Sequence, residues 1–183
     1  MNTSESGNLL VRYGLTRQNC LLLDIVLFKI SWALLVVLQG AGLVYAAVVI
    51  LLRLFLLTNY KRTLPAVALV CVMGLVLDTL LTSLDIFLFS TPWLPSWLVM
   101  LWLSFALVLA NGFAFLGNWP VHFQALAGMG FGSAGYTAGF LMGAVAFYWS
   151  YPVTMMLVAL LWALFLPLAT AGVRHITGPD QAS

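Results

Sequence analysis

Charge is what this sequence has least of. Aspartate, glutamate, lysine and arginine make up 7% of its 183 residues, against roughly a quarter in an ordinary water-soluble domain. That deficit excludes water as the sole solvent, and a net charge of +2 is too small to suggest nucleic acid as a partner. Cysteine is nearly absent. Cys20 and Cys71 are too few for a disulfide framework, and without a CxxC pair they make no metal site, so both read as small apolar filler. Histidine is as scarce. His122 follows Pro120 in a break and His175 follows the last apolar run beside Arg174, with no HxxxH or HExxH spacing for a metal. Nor do two carboxylates share one loop at a spacing suited to acid–base work. From these absences no catalytic residue, no metal and no cofactor are expected.

Long apolar runs fill the space that charge leaves. The chain is 63% hydrophobic with a mean hydropathy of +1.08, which belongs to an integral membrane protein whose spans need about 20 residues each. Six runs qualify, so the fold class expected is all-α, a polytopic helical membrane bundle. The first runs from Leu21 to Leu38, and "QGAG", Gln39 to Gly42, turns it into a second from Leu43 to Leu57. Without that turn the two would be far too long for one crossing. A third run covers Leu64 to Thr82, and the proline-broken loop Ser90 to Trp97 leads to a fourth, Trp97 to Leu116. "GNWPVH" breaks the chain again before the glycine-rich fifth run, Phe123 to Tyr148, and "WSYP" before the sixth, Pro152 to Val173. The domain reading is a short cytoplasmic segment at 1–20, one transmembrane unit at 21–173 and a cytoplasmic tail at 174–183. The first run is too long for a signal core of 7–15 residues and carries Asp24 and Lys29, so it is read as a retained span.

The few basic residues orient the bundle. Arg12, Arg17, Lys61, Arg62 and Arg174 fall on the side shared by both ends and the second and fourth loops, and the opposite loops hold no lysine or arginine. The positive-inside rule then puts both ends in the cytoplasm of a bacterial inner membrane. Trp93, Trp97, Tyr148, Trp149 and Tyr151 gather at the outer face, where amphipathic rings favour the interface.

Four ionisable residues fall inside the runs, each a functional candidate because an ion at a helix centre costs about 2.5–3.5 kcal/mol on insertion scales. Asp24 and Arg53 lie at matching depth, about 5 Å below the cytoplasmic surface, on two runs joined by a tight turn. They are expected as a structural ion pair, with snorkelling to the headgroups as the other course open to Arg53. Lys29 is about 14 Å deep and Asp78 about 21 Å, within reach of a lysine arm. Asp78 also centres a small, polar stripe of Cys71, Gly74, Asp78, Thr82 and Asp85 at spacings of three and four, matched by Trp97, Ser104 and Asn111 in the fourth run. Lys29, Asp78, Thr82, Ser104 and Asn111 together form the candidate intramembrane polar site. It reads either as a buried pair that fixes helix register or as a seat for a headgroup, proton or small solute.

In "GMGFGSAGYTAGFLMGA" the glycines at 128, 132, 135, 139 and 143 fall on one ridge. Such a ridge lets helices approach closely in lipid, within the bundle or against a membrane-protein partner or a second copy. "GFGSAG" lacks a P-loop lysine and the G-x-S-x-G register, so Ser133 is not read as a nucleophile.

Three stretches, "GLVLDTLL" from Gly74, "PSWLVMLWLSFALVL" from Pro95 and "GYTAGFLMGAVAF" from Gly135, with "LFKISW" from Leu27, resemble an uncharacterised bacterial inner-membrane family, domain of unknown function 2878. The resemblance covers about Asn19 to Val173, and Lys29, Ser133 and Ala110–Asn111 depart from its pattern. It implies a role beside membrane-lipid modification and brings no established activity with it. Taken together, the residues point to a non-catalytic accessory or assembly subunit in membrane-lipid or envelope processes. A small transporter or channel-like protein working through Asp78 and Lys29 is the second reading, although no internal repeat of the kind common in transporters is visible.

Overall fold

A computed structural model gives the fold and describes residues 17–55, 57 and 60–178. Arg12 and the rest of the N-terminal segment before Arg17 lie outside the described residues, as do positions 179–183 of the tail. Among the described residues six α-helices follow in order: α1 Arg17–Leu38, α2 Leu43–Phe55, α3 Tyr60–Ser83, α4 Ser96–Ala110, α5 Val121–Leu141 and α6 Tyr151–Thr177. Over the described residues the architecture is helical apart from one two-residue ladder. Among the described residues three helical stretches are long and apolar enough to cross a membrane: Gln18–Leu54, Tyr60–Ser83 and Tyr151–Thr177.

The first of these stretches is not one rod. A 3₁₀ turn, Gln39–Gly42, breaks it, with Gln39 at a positive φ of 47°. A Cβ on Gly42 would run into the backbone carbonyl of Leu34, so only glycine lets the chain fold back this tightly. Arg53 on α2 then reaches Asp24 on α1, which requires α1 and α2 to lie antiparallel.

The remaining helices differ in length, and that changes the expectation of six similar spans. At 1.5 Å per residue, α1, α3, α5 and α6 are each about 32–40 Å long, but α2 and α4 only about 20 and 22 Å, short of a 30 Å hydrocarbon core. The Leu43–Leu57 and Trp97–Leu116 runs are apolar over a longer stretch than they are helical. The second stops at Asn111, whose φ of −127° and ψ of −78° leave the helix, and a 3₁₀ turn, Ala114–Asn118, follows.

Short as it is, α4 is the centre of the bundle. Ten of its fifteen residues are buried, and it packs against α1, α2 and α3 and touches α6. A helix apolar all round is stable only when neighbours cover it, and here they do. The α5–α6 hairpin is the most extensive pairing of the fold. It is closed at one end by Thr170, whose hydroxyl donates to Gln124 Oε1 at 2.5 Å, and at the other by the Thr137–Tyr151 hydroxyl pair at 2.8 Å. Arg174 donates to the carbonyl of Gly117 and ties the turn after α4 to the end of α6.

At the opposite end, two loops join. Phe87–Leu88 (β1) pairs antiparallel with Ala146–Phe147 (β2), Phe87 opposite Phe147 and Leu88 opposite Ala146. The buried Phe87 ring lies 4.9 Å from Tyr136 and 5.6 Å from Phe147, centroid to centroid. This ladder falls in residues read as loop, because two residues show no periodicity that a sequence pattern can detect.

The glycine ridge does not act as one surface. A Cβ on Gly128 would strike the backbone carbonyl of Trp162, and one on Gly132 the Trp162 ring, whereas Gly135 and Gly143 face open space and Gly139 sits at ordinary contact with Val145. Only the first two are needed for α5 and α6 to approach. Gly128→Ala is therefore expected to destabilise the protein by about 1–3 kcal/mol through overpacking. Gly130→Ala, on the open side of the same helix, should be neutral or stabilising by roughly 0.5–1 kcal/mol. Thermal unfolding of both variants in detergent decides this. Equal shifts for the two would mean that the close approach at Gly128 is not needed.

Candidate functional site

The residues grouped as one polar site divide into two clusters. In the first, Asp24 and Arg53 are both buried, and Arg53 Nε donates to Asp24 Oδ1 at 2.7 Å. Arg53 Nη1 also donates to the Ser104 carbonyl at 2.9 Å and to its hydroxyl at 2.8 Å. The other Asp24 oxygen accepts from Asn111 Nδ2 at 3.1 Å and from the Gly112 backbone N–H at 3.0 Å. Ser104 and Asn111 thus belong to the Asp24–Arg53 pair and not to Asp78. The reason is reach: the planar guanidinium spreads its donors widely enough to serve a carboxylate on α1 and a hydroxyl on α4 together.

The second cluster surrounds Asp78, which is completely buried. Trp102 Nε1 on α4 donates to Oδ2 at 2.6 Å, and the Tyr136 hydroxyl on α5 donates to Oδ1. Gly74, one turn before Asp78, makes room for the indole, since a Cβ there would penetrate the Trp102 ring. Thr82 contributes nothing to the carboxylate; its hydroxyl donates to the Asp78 backbone carbonyl at 2.7 Å. Asp85 leaves the stripe altogether, exposed in the turn after α3 at a φ of 56°.

Lys29 does not pair with Asp78. It is exposed, and its ammonium lies 5.9 Å from the centroid of the adjacent Phe28 ring. Two aromatic donors already take the Asp78 oxygens, and the sequence hides them for a simple reason. Trp102 and Tyr136 lie in runs where an aromatic reads as bulk, and nothing in one-dimensional spacing marks an N–H or O–H as aimed at a carboxylate. A glycine at Gly74, one turn from a buried acid and on its face, was the available signal that something large approaches there.

A cavity of about 270 Å³ opens beside this cluster. Phe28, Lys29 and Trp32 of α1 form one side and Phe131, Ala134 and Gly135 of α5 the other, over a floor that includes Asp78, Trp102, Tyr136 and Trp162. Because α1 and α5 share no packed face, the gap between their flanks is left unfilled. Exposed Lys29, Phe131 and Ala134 put the mouth on the side of the bundle, not at its end. Trp97, expected at the interface, is instead buried and lines this cavity, while Trp93, Tyr148, Trp149 and Tyr151 are exposed.

Two buried side-chain nitrogens among the described residues have no hydrogen-bond partner, Arg53 Nη2 and Trp162 Nε1. The second belongs to the cavity: Trp162 is 7% exposed, and its ring stacks on Trp102 at 5.8 Å and 17°. Among the described residues no three His, Cys, Asp or Glu side chains gather to hold a metal ion. Chemically, the site offers apolar walls, spoken-for acceptors and unspent donors.

Comparison with known proteins gives a family. The family model described as "Protein of unknown function (DUF2878)" matches residues 21–168, which includes both polar clusters and the cavity. No curated protein and no solved structure matches the chain.

The Asp78 geometry predicts a specific coupling. In Asp78→Asn the amide keeps its oxygen on Trp102 and turns its NH₂ to the Tyr136 hydroxyl, which must accept instead of donate and loses a charge-assisted bond, at a cost of about 1–3 kcal/mol. The penalty should shrink in a Tyr136→Phe background and stay the same in Lys29→Ala. A double-mutant cycle on detergent-solubilised stability measures both terms. Coupling to Lys29 without coupling to Tyr136 would show that the ammonium holds the acid.

Proposed function

The chain belongs to the DUF2878 family of proteins of unknown function, and from its geometry we propose that it is a multi-pass inner-membrane protein that binds a lipid-like ligand without transforming it. It then serves as an accessory subunit in membrane-lipid or envelope processes. One observation carries this reading: an aromatic-lined cavity that opens sideways, between the flanks of α1 and α5. In a bilayer, a mouth so placed faces hydrocarbon, so its occupant arrives from the membrane. Ligand pockets are mostly apolar with a few placed polar groups, and this one has that character.

The titratable groups support binding over catalysis. Asp78 accepts one hydrogen bond at each oxygen from the frame itself, so both oxygens are engaged in holding α3 against α4 and α5. His122 and His175 are exposed and remote from the cavity lining. With the α1–α2 hairpin counted as two passes and α4 as a short, centrally buried one, the bundle crosses six times. The bias of Lys61, Arg62 and Arg174 toward one side then supports both ends inside.

A transporter is the second reading, favoured by the same cavity because it brings Asp78 and Lys29 to one space. Solute flux in proteoliposomes that stops on Asp78→Asn while the protein still accumulates would favour transport.

Gly135 supplies the test of binding. It lines the cavity with open space where a Cβ would stand, so Gly135→Leu fills the void without a backbone clash. Native mass spectrometry of the purified full chain should find a retained lipid-sized adduct on wild type and none on Gly135→Leu, at a melting temperature no lower than that of wild type. An adduct of equal occupancy on both would remove the cavity as the binding place.

A further inference from the structure

The chemistry of the cavity narrows its ligand, an inference that rests on the binding role proposed above. Its polar inventory is lopsided. The acceptor oxygens of Asp78 take donors from Trp102 and Tyr136, so the frame already answers the one carboxylate. What remains are donors: the buried indole N–H of Trp162, which makes no hydrogen bond of good geometry and has the Tyr136 hydroxyl beside it, and the ammonium of Lys29, which lies over the ring beside it. A buried donor left unpaired carries a desolvation penalty that nothing offsets. An ammonium at mid-helix in a bilayer carries one too unless it finds an anion or water. Both penalties are relieved together by one occupant that carries acceptor oxygens and negative charge.

We infer that the cavity between α1 and α5 holds a single-chain amphiphile with an oxyanion head, a carboxylate or a phosphate monoester. Lys29 and Trp162 donate to the head, and the chain lies along the aromatic wall. Among the described residues Lys29 and Asp78 are the only charged side chains in the lining. The Asp78 oxygens are turned to Trp102 and Tyr136, which leaves Lys29 as the charge an incoming head meets at the mouth. A single chain follows from size: about 270 Å³ lies just below the usual range of ligand cavities, roughly 300–1,000 Å³. A neutral amphiphile would satisfy Trp162 but leave the ammonium unpaired, and a cationic one would face it at the entrance.

The test uses the full chain in phosphatidylcholine nanodiscs with two photoreactive probes of equal length, a diazirine-bearing hexadecanoate and the corresponding hexadecanol. At a pH where the acid is ionised, the carboxylate should label α1 and α5 peptides about tenfold more strongly than the alcohol, the size expected for one charged hydrogen bond. Lys29→Gln should bring the two within about twofold of each other, and Lys29→Arg should keep the preference, since the charge and the donors remain. Competition by unlabelled hexadecyl phosphate at lower concentration than hexadecanoate assigns a phosphate head; the reverse order assigns a carboxylate, and either supports the inference. Equal labelling of wild type by acid and alcohol overturns the anionic head while leaving a ligand-binding cavity. Labelling by both probes that persists in Gly135→Leu overturns the cavity reading itself. Thermal unfolding of each variant confirms that the fold survives, and Trp162→Phe gives an independent loss of labelling that leaves the Lys29 charge in place.

Discussion

A carboxylate buried without exposure in an apolar helix must have its oxygens met by donors, because lipid and packed side chains offer none. Much of this fold follows from how Asp78 meets that requirement. Trp102 donates from α4 and Tyr136 from α5, so one acid on α3 fixes the position of two other helices. Trp102 can stand there only because Gly74 has no side chain, and its ring in turn carries the stacked ring of Trp162 on α6. Gly128 and Gly132 then let α5 close on Trp162. Four helices are registered through one residue and the aromatic rings around it.

The other half of the bundle repeats the solution with different chemistry. Asp24 on α1 is met by Arg53 on α2, by Asn111 and by the Gly112 backbone, and Arg53 continues to Ser104 on α4. Here a full ion pair is buried, which adds little net stability but specifies one arrangement, since either charge alone would be stranded. Both networks end on α4. That explains how a helix of fifteen residues, too short to reach across hydrocarbon on its own, organises longer neighbours: it carries Trp102 for one acid, Ser104 for the arginine and, at its end, Asn111 for the other acid.

The sequence made the medium, the helical class and the order of the helices legible, because apolar runs and their breaks are one-dimensional signals. Depth was legible too, since rise per residue is constant, and the matching depths of Asp24 and Arg53 lead to the contact that the folded chain makes. Azimuth was not. Lys29 and Asp78 fall at compatible depths, yet Lys29 is exposed at the cavity mouth while Asp78 faces the interior. A lysine arm's reach says nothing about which side of the helix it leaves from. Ser104 was assigned to the wrong acid for the same reason. Tyr136 and Trp102 were overlooked because side chains that are mostly ring count as apolar in every hydropathy argument, and their single polar atoms decide the site.

The glycines of α5 carry the last step. A ridge at spacings of four and three reads as one packing surface, but contact is needed only over its first part. At Gly135 no neighbouring atom lies within reach of a Cβ, and the same lack of a side chain leaves a void. Close approach and emptiness are therefore two uses of one composition: glycine facing a partner draws helices together, and glycine facing a gap between non-contacting helices keeps the gap open. At Gly135 the second use holds. A leucine in that place would supply the apolar contacts whose absence costs stability, so the void is a stability sacrifice at a position where the cheapest substitution would end it. Beside it stands Trp162, with a buried donor also left unmet. Two uncompensated penalties on the wall of one space are explained together by an occupant that fills the volume and accepts the hydrogen bond.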